Sequence, residues 1–128
     1  MRLSRSAGFT LIELLVVVVI IGILASIAIP KFANTKGKAY VSTIKTDLRN
    51  LATAEESYYY SNDVYTGDLT LLNFKPSPGV TIVIPEATAG GWSAKGTHPK
   101  ASVTACAMYV GTASPLAPAT TEAAVTCN

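Results

Sequence analysis

The sequence predicts an α+β protein: one long N-terminal α-helix whose second half packs on a small antiparallel β-sheet. Three observations predict it. Residues 9–29 are predominantly apolar, and Glu13 is their only ionisable side chain. From Val41 onward, apolar residues recur every three or four positions, the period of a half-buried helix. Beyond residue 79 the pattern changes to β-branched runs and alternations separated by glycine and proline.

The apolar run is long enough to cross a bilayer as one helix, at about 1.5 Å of rise per residue across roughly 30 Å of hydrocarbon. A carboxylate inside such a span costs about 2.5–3.5 kcal/mol, so Glu13 needs a partner. Residues 1–8 are polar and basic, with Arg2 and Arg5 and no acid. They read as the n-region of a targeting signal, and the run after them reads as its h-region. Ala25-Ser26-Ile27-Ala28 loosely mimics a secretory cleavage site. The run is too long for an ordinary h-region, however, and the pattern after it continues as helix. Cleavage after Gly8 would leave the apolar helix on the mature chain.

Pro30 is the place for a kink, because proline lacks an N–H and crowds the preceding turn. Val41, Ile44, Leu48 and Leu51 then form an apolar stripe, with Ala52, Tyr58 and Tyr59 near it and Lys45, Asp47, Arg49 and Glu56 mostly off it. Gly37 weakens this stretch by about 1 kcal/mol relative to alanine. The whole reads as one helix from about residue 9 to residue 60.

Ser61-Asn62-Asp63 ends the helix with turn chemistry. Thr66-Gly67-Asp68 is expected to cap a short turn of helix through Leu72, and residues 75–79 form a loop. A first strand covers residues 80–84 and stops at Pro85. Ala89-Gly90-Gly91 is a turn, residues 91–97 a second strand containing Trp92, and residues 101–110 a third. In the third, Val103, Ala105, Ala107 and Tyr109 alternate with Thr104, Cys106 and Met108. Three or four antiparallel strands laid on the amphipathic half of the helix give the simplest packing. The tail from Gly111 is rich in Ala, Thr and Pro, and Cys127 is its expected tether.

Gly8-Phe9-Thr10-Leu11-Ile12-Glu13, behind a short basic leader and before an apolar span, resembles the class III signal of type IV pilins and of the related pseudopilins of type II secretion. The resemblance is close over residues 5–32, looser to Tyr65 and architectural beyond. It implies that a membrane aspartyl peptidase, the prepilin peptidase, cuts between Gly8 and Phe9 and methylates the new amine of Phe9. It implies a leader of residues 1–8, a transmembrane and polymerising half-helix of residues 9–30, and a globular domain of residues 31–128. That domain comprises the amphipathic helix to about residue 60, a loop over 61–79, a sheet over about 80–110 and a disulfide-closed tail over 111–128. Tyr58-Tyr59-Tyr60 through Tyr65 is similar to the aromatic segment that ends the long helix in many members.

Charge alone leaves the orientation open, since Arg2 and Arg5 precede the span while Lys31, Lys36 and Lys38 follow it. The resemblance implies a cytoplasmic leader, a precursor pool in the inner membrane and then an extracellular pilus. Net charge over all 128 residues is +2. Without the two leader arginines the side chains sum to zero, which leaves no basic footprint for nucleic acid and permits packing against copies of itself. Cys106 and Cys127 both fall in the part that would be exported. An even count there reads as one disulfide; a metal site would need more ligands than the lone His98 supplies.

Glu13 has three readings. It is a carboxylate eased by the helix dipole, a partner of its own Phe9 amine four residues away, or a partner of the Phe9 amine on a neighbouring subunit. The resemblance implies the last, which fixes register along a filament. Gly22 and Pro30 stand where the family's helix loses regular hydrogen bonding in assembled filaments. The apolar surface would serve first as lipid anchor and then as filament core. His98, followed by Pro99, reads as a turn residue. Glu55 and Glu56 are adjacent on one helix and so face different ways. Trp92 reads as core or interface. The tail's composition suits either O-glycosylation or a plain solvated loop. No catalytic set or cofactor site is evident, so the expected role is structural and not enzymatic.

The expected function is that of a type IV pilus subunit, with motility, adhesion or DNA uptake following from the filament. Its partners would be copies of itself, the prepilin peptidase, the inner-membrane assembly machinery and the membrane. The runner-up is a pseudopilin of type II secretion or a minor pilin. The cysteine pair leans toward pilin, as does the lack of acids near the C-terminus other than Glu122. A single-span protein with a β-rich binding domain is a further class, against which the cleavage hexapeptide argues.

Overall fold

The computed structural model describes residues 8–128; Arg2 and Arg5 of the expected leader lie outside the described residues. One helix, α1 (Leu11–Asn62), is followed by β1 (Thr81–Ala87), β2 (Gly91–Thr97), β3 (Cys106–Gly111) and β4 (Thr126–Cys127). The strands form one antiparallel sheet in the order β1-β2-β3-β4. The chain divides into two compact units, one ending at Asn34 and one spanning Thr35–Asn128.

The first unit is the apolar part of α1. Among the described residues this is the one helix long and apolar enough to cross a membrane. The helix passes through Pro30 instead of stopping there. Pro30 has no N–H for the Ser26 carbonyl; the Ser26 hydroxyl donates to the Ile23 carbonyl at 2.7 Å.

In the second unit, Ile44, Leu48 and Leu51 of α1 are fully buried. They meet Ile82, Trp92, Ala94, Cys106 and Met108, with Leu72 and Val80 closing the cluster. The register Ile82↔Gly96, Ala94↔Met108 and Gly96↔Cys106 places these side chains on one face of the sheet. Gly96 is required there by close approach: a Cβ on it would lie 2.6 Å from Ile44 Cγ2. The polar side of α1 satisfies itself. Thr43, Thr46 and Thr53 donate their hydroxyls to the carbonyls of Ala39, Ser42 and Arg49, at 3.0–3.3 Å.

Four local expectations are corrected. First, β1 runs on past Pro85 to Ala87, with a register shift between Val83 and Glu86. As an edge strand, β1 can tolerate a missing donor at an irregularity. Second, β3 begins at Cys106 and not Ala101, and its core face carries Cys106, Met108 and Val110; Ala105 and Ala107 are also buried. Third, residues 69–73 form hydrogen-bonded turns instead of a helix. Asp68 still caps them through Thr70, accepting from its N–H at 2.8 Å and its hydroxyl at 2.6 Å, and these bonds hold the Asp68 carboxyl below its ordinary range. Fourth, the tail has more tethers than Cys127. Glu122 accepts from the Gly111 N–H at 2.8 Å, and the Ala123 N–H donates to the Tyr109 carbonyl at 2.8 Å.

Candidate functional site

The first turn of α1 carries a reciprocal cap. Thr10 precedes the helix; Glu13 Oε2 accepts from its backbone N–H and its hydroxyl, each at 2.8 Å. The Glu13 N–H donates back to Thr10 Oγ1 at 3.3 Å. Thr-x-x-Glu is the capping-box spacing, a signal present in the sequence that places Thr10 beside Glu13. The arrangement uses backbone atoms of Thr10 and not of Phe9, so a cut before Phe9 would leave it intact. It occupies Oε2.

Phe9 lies beside this cap, 84 % exposed, and Gly8 is exposed before it. Leu11, Ile12, Val16, Ile20, Ile27 and Ile29 are all more than half exposed or nearly so. The apolar stretch of the helix is therefore open all round, with no side for solvent and no side for a core. Gly22 sits in open space, where an added Cβ would meet nothing within 4 Å. Within the single chain, then, nothing packs against Gly22.

The second unit holds polar groups that sequence reasoning did not place. The carboxylates of α1 fasten the segment that follows it. Asp47 accepts from both the N–H and the hydroxyl of Ser77, each at 2.8 Å. Glu55, fully buried, accepts from the Thr66 N–H through Oε2 at 3.1 Å, while its Oε1 has no partner. Burial pushes the Glu55 carboxyl above the ordinary range; the Thr66 N–H opposes the shift and the neighbouring Glu56 adds to it. Glu56 faces outward and accepts from the Tyr65 hydroxyl at 3.0 Å. Tyr65 stacks on Tyr59 with ring centroids 4.5 Å apart. Burial and the Glu56 bond push its hydroxyl up to about 12.

His98 does stand at a turn, where its Nδ1 accepts from the Lys100 N–H at 3.0 Å. It is also buried and stacked on Tyr40, ring centroids 4.0 Å apart. Trp92 is fully buried core. Cys106 and Cys127 form a disulfide between paired positions of β3 and β4. Among the described residues no cluster of His, Cys, Asp and Glu is placed to hold a metal ion.

Residues 3–29 match the family model described as the prokaryotic N-terminal methylation motif. The type IV wide pilus major component PilA4 of Thermus thermophilus is 34 % identical over 94 residues, covering 70 % of this chain and 72 % of that protein. The chain belongs to the type IV pilin family. The pilin is also 45 % identical over 83 residues to the type IV major pilin protein PilA of Myxococcus xanthus, covering 62 % of this chain and 38 % of that one. It is 40 % identical over 65 residues to the type II secretion system core protein G of Pseudomonas aeruginosa, covering 51 % and 46 %. The chain thus spans less than half the length of these last two relatives. Long apolar helix, four-stranded antiparallel sheet and terminal disulfide together make the pilin fold.

Proposed function

We propose that this pilin is cut between Gly8 and Phe9, is methylated on the Phe9 amine, and polymerises through residues 9–30 into an extracellular type IV pilus. The observation that carries this reading is the apolar half of α1, exposed on all sides around one carboxylate. Such a surface is stable in lipid or against copies of itself, and in water it is not. One helix therefore serves as membrane anchor before assembly and as filament core after it. In the bilayer the Thr10 cap offsets part of the cost of holding Glu13. In the filament, the new ammonium of Phe9 on a neighbouring subunit supplies the charge that pairs Glu13. Gly22, which meets nothing within the chain, and Pro30 both weaken the helix and give the assembled core its extensibility. Residues 31–128 form the outward-facing domain, and adhesion, motility or DNA uptake are activities of the finished filament.

The similarity to the type II secretion core protein G supports a second reading, a subunit of a secretion pseudopilus. Intact-mass and N-terminal analysis of sheared surface filaments separates the two. An abundant species starting at N-methyl-Phe9, two hydrogens light, is the expected result. Processed chain confined to the membrane fraction would favour the pseudopilus. A chain starting at Met1 would overturn both. In the same assay Glu13→Ala is expected to be processed normally yet to yield few filaments.

A further inference from the structure

Among the described residues, two buried side-chain polar atoms are left without a partner: Glu55 Oε1 and Trp92 Nε1. Both side chains are fully buried, and the two atoms are complementary. An indole N–H only donates, while a carboxylate oxygen accepts. A buried polar atom left unpaired carries its full desolvation cost.

Two independent lines of geometry bring these atoms to one place. The first is a chain of hydrogen bonds. Glu55 Oε2 accepts from the Thr66 N–H at 3.1 Å. The preceding N–H, of Tyr65, donates to the Thr88 carbonyl at 3.2 Å. Thr88 directly follows Ala87, and Ala87 pairs with Trp92 across β1 and β2. One dipeptide, Tyr65-Thr66, thus holds the carboxylate with one residue and the Trp92 end of the sheet with the other.

The second line is the register of β2 on α1. His98 stacks on Tyr40, and Gly96 lies against Ile44 and Leu48, so β2 runs back along the helix as α1 runs forward. Trp92, Ala94 and Gly96 share the face turned to the helix. The step from Gly96 to Trp92 covers about 13 Å of strand, the rise of up to about nine helical residues. Counted from Ile44 and Leu48, that reaches the turn of Leu51 and Glu55, the last two buried positions of α1.

We infer that Glu55 Oε1 and Trp92 Nε1 are the two ends of a buried bridge between α1 and β2, closed by one water molecule. The water accepts from the indole N–H and donates to the carboxyl oxygen. Water is the ligand of fitting size that accepts and donates at once, and the two side chains are not hydrogen-bonded to each other. With the bridge in place, each Glu55 oxygen has a partner, one on the segment after α1 and one on the sheet. Trp92 is then a positioning residue, holding the carboxyl group against Thr66 through the water. Together with the two bonds from Ser77 to Asp47, the bridge pins the segment between α1 and β1 near both its ends.

The test is solution NMR of the full chain in detergent micelles. Trp92 is the single tryptophan of the sequence, so its indole N–H gives one resonance. That resonance is expected to show a rotating-frame Overhauser cross-peak to water, of the sign that marks proximity and not exchange. Glu55→Met, of similar length and without the acceptor, is expected to abolish the cross-peak while Trp92 fluorescence stays that of a buried indole. In urea unfolding, Glu55→Met and Trp92→Phe are expected to be non-additive by about tenfold in the unfolding constant. A parent chain whose indole shows no water cross-peak overturns the inference, and that measurement requires no variant to fold. A scalar coupling across a direct bond from the indole to the Glu55 carboxyl also overturns it, since no water then lies between them. So does a cross-peak unchanged in Glu55→Met, which would place the water on another acceptor, and so do strictly additive variants.

Discussion

Asp47 clasps Ser77 with both carboxylate oxygens, one on the backbone N–H and one on the hydroxyl, each at 2.8 Å. Thirty residues of chain separate the two, so this clasp fixes the whole segment between α1 and the sheet. Asp47→Ala should lower the stability of the detergent-solubilised chain by about 2 kcal/mol, the value of bonds to a charged group. Asp47→Asn, which keeps an acceptor, should lose less. Urea unfolding of the three chains checks the order.

Glu55 makes stability depend on pH. Its carboxyl is raised above its ordinary value of 4.5 by burial, so the folded chain binds that proton more tightly than the unfolded chain. Its contribution is full below the ordinary value and declines as pH rises through the folded value. Glu55→Gln keeps an acceptor for the Thr66 N–H and removes the decline. The variant should melt above the parent at neutral pH, with the gap closing near pH 4. Melting temperatures from pH 4 to pH 8 read it directly.

Gly96 lies under Ile44. Gly96→Ala places a Cβ 2.6 Å from Ile44 Cγ2, next to a fully buried branch that has little room to move. The expected loss is about 1–3 kcal/mol, as for overpacked cores. Ile44→Leu, which lacks that branch, should recover part of it in the double variant. A double-mutant cycle by urea unfolding exposes the coupling.

The Cys106–Cys127 bond spans 21 residues of sequence. Closing a loop of that size is worth about 3 kcal/mol by chain entropy. Replacing both cysteines with alanine should lower the melting temperature on the order of 10–20 °C for a domain of this size. Reductant should move the parent chain by a similar amount and leave the variant unmoved.

Most of the fold was legible in the sequence where periodicity is strong. Ile44, Leu48 and Leu51 step by four and three, and all three are core. Glu55 continues that step four residues later, a signal of burial that its charge disguised. Alternation does not single out the core face of β3, because the strand is small and apolar on both sides, with Ala105 and Ala107 buried as well as Cys106 and Met108. β4 is two residues long, too short for any alternation. Pro85 suggested a stop because the rule against proline in strands relaxes at an edge. At the N-terminus the hexapeptide pointed to Glu13. The part played by Thr10 is written in the same spacing, since a hydroxyl three residues before a glutamate satisfies it locally where an opposite charge would otherwise be needed.

The threonines of α1 have a consequence for how this surface meets another. Thr43, Thr46 and Thr53 turn their hydroxyls to the carbonyls one turn back. A hydroxyl that already donates within its own helix has no donor bond to water to forfeit when that face is covered. Such a face stays wettable through its acceptor lone pairs when bare and gives up little of its donor bonding when dried.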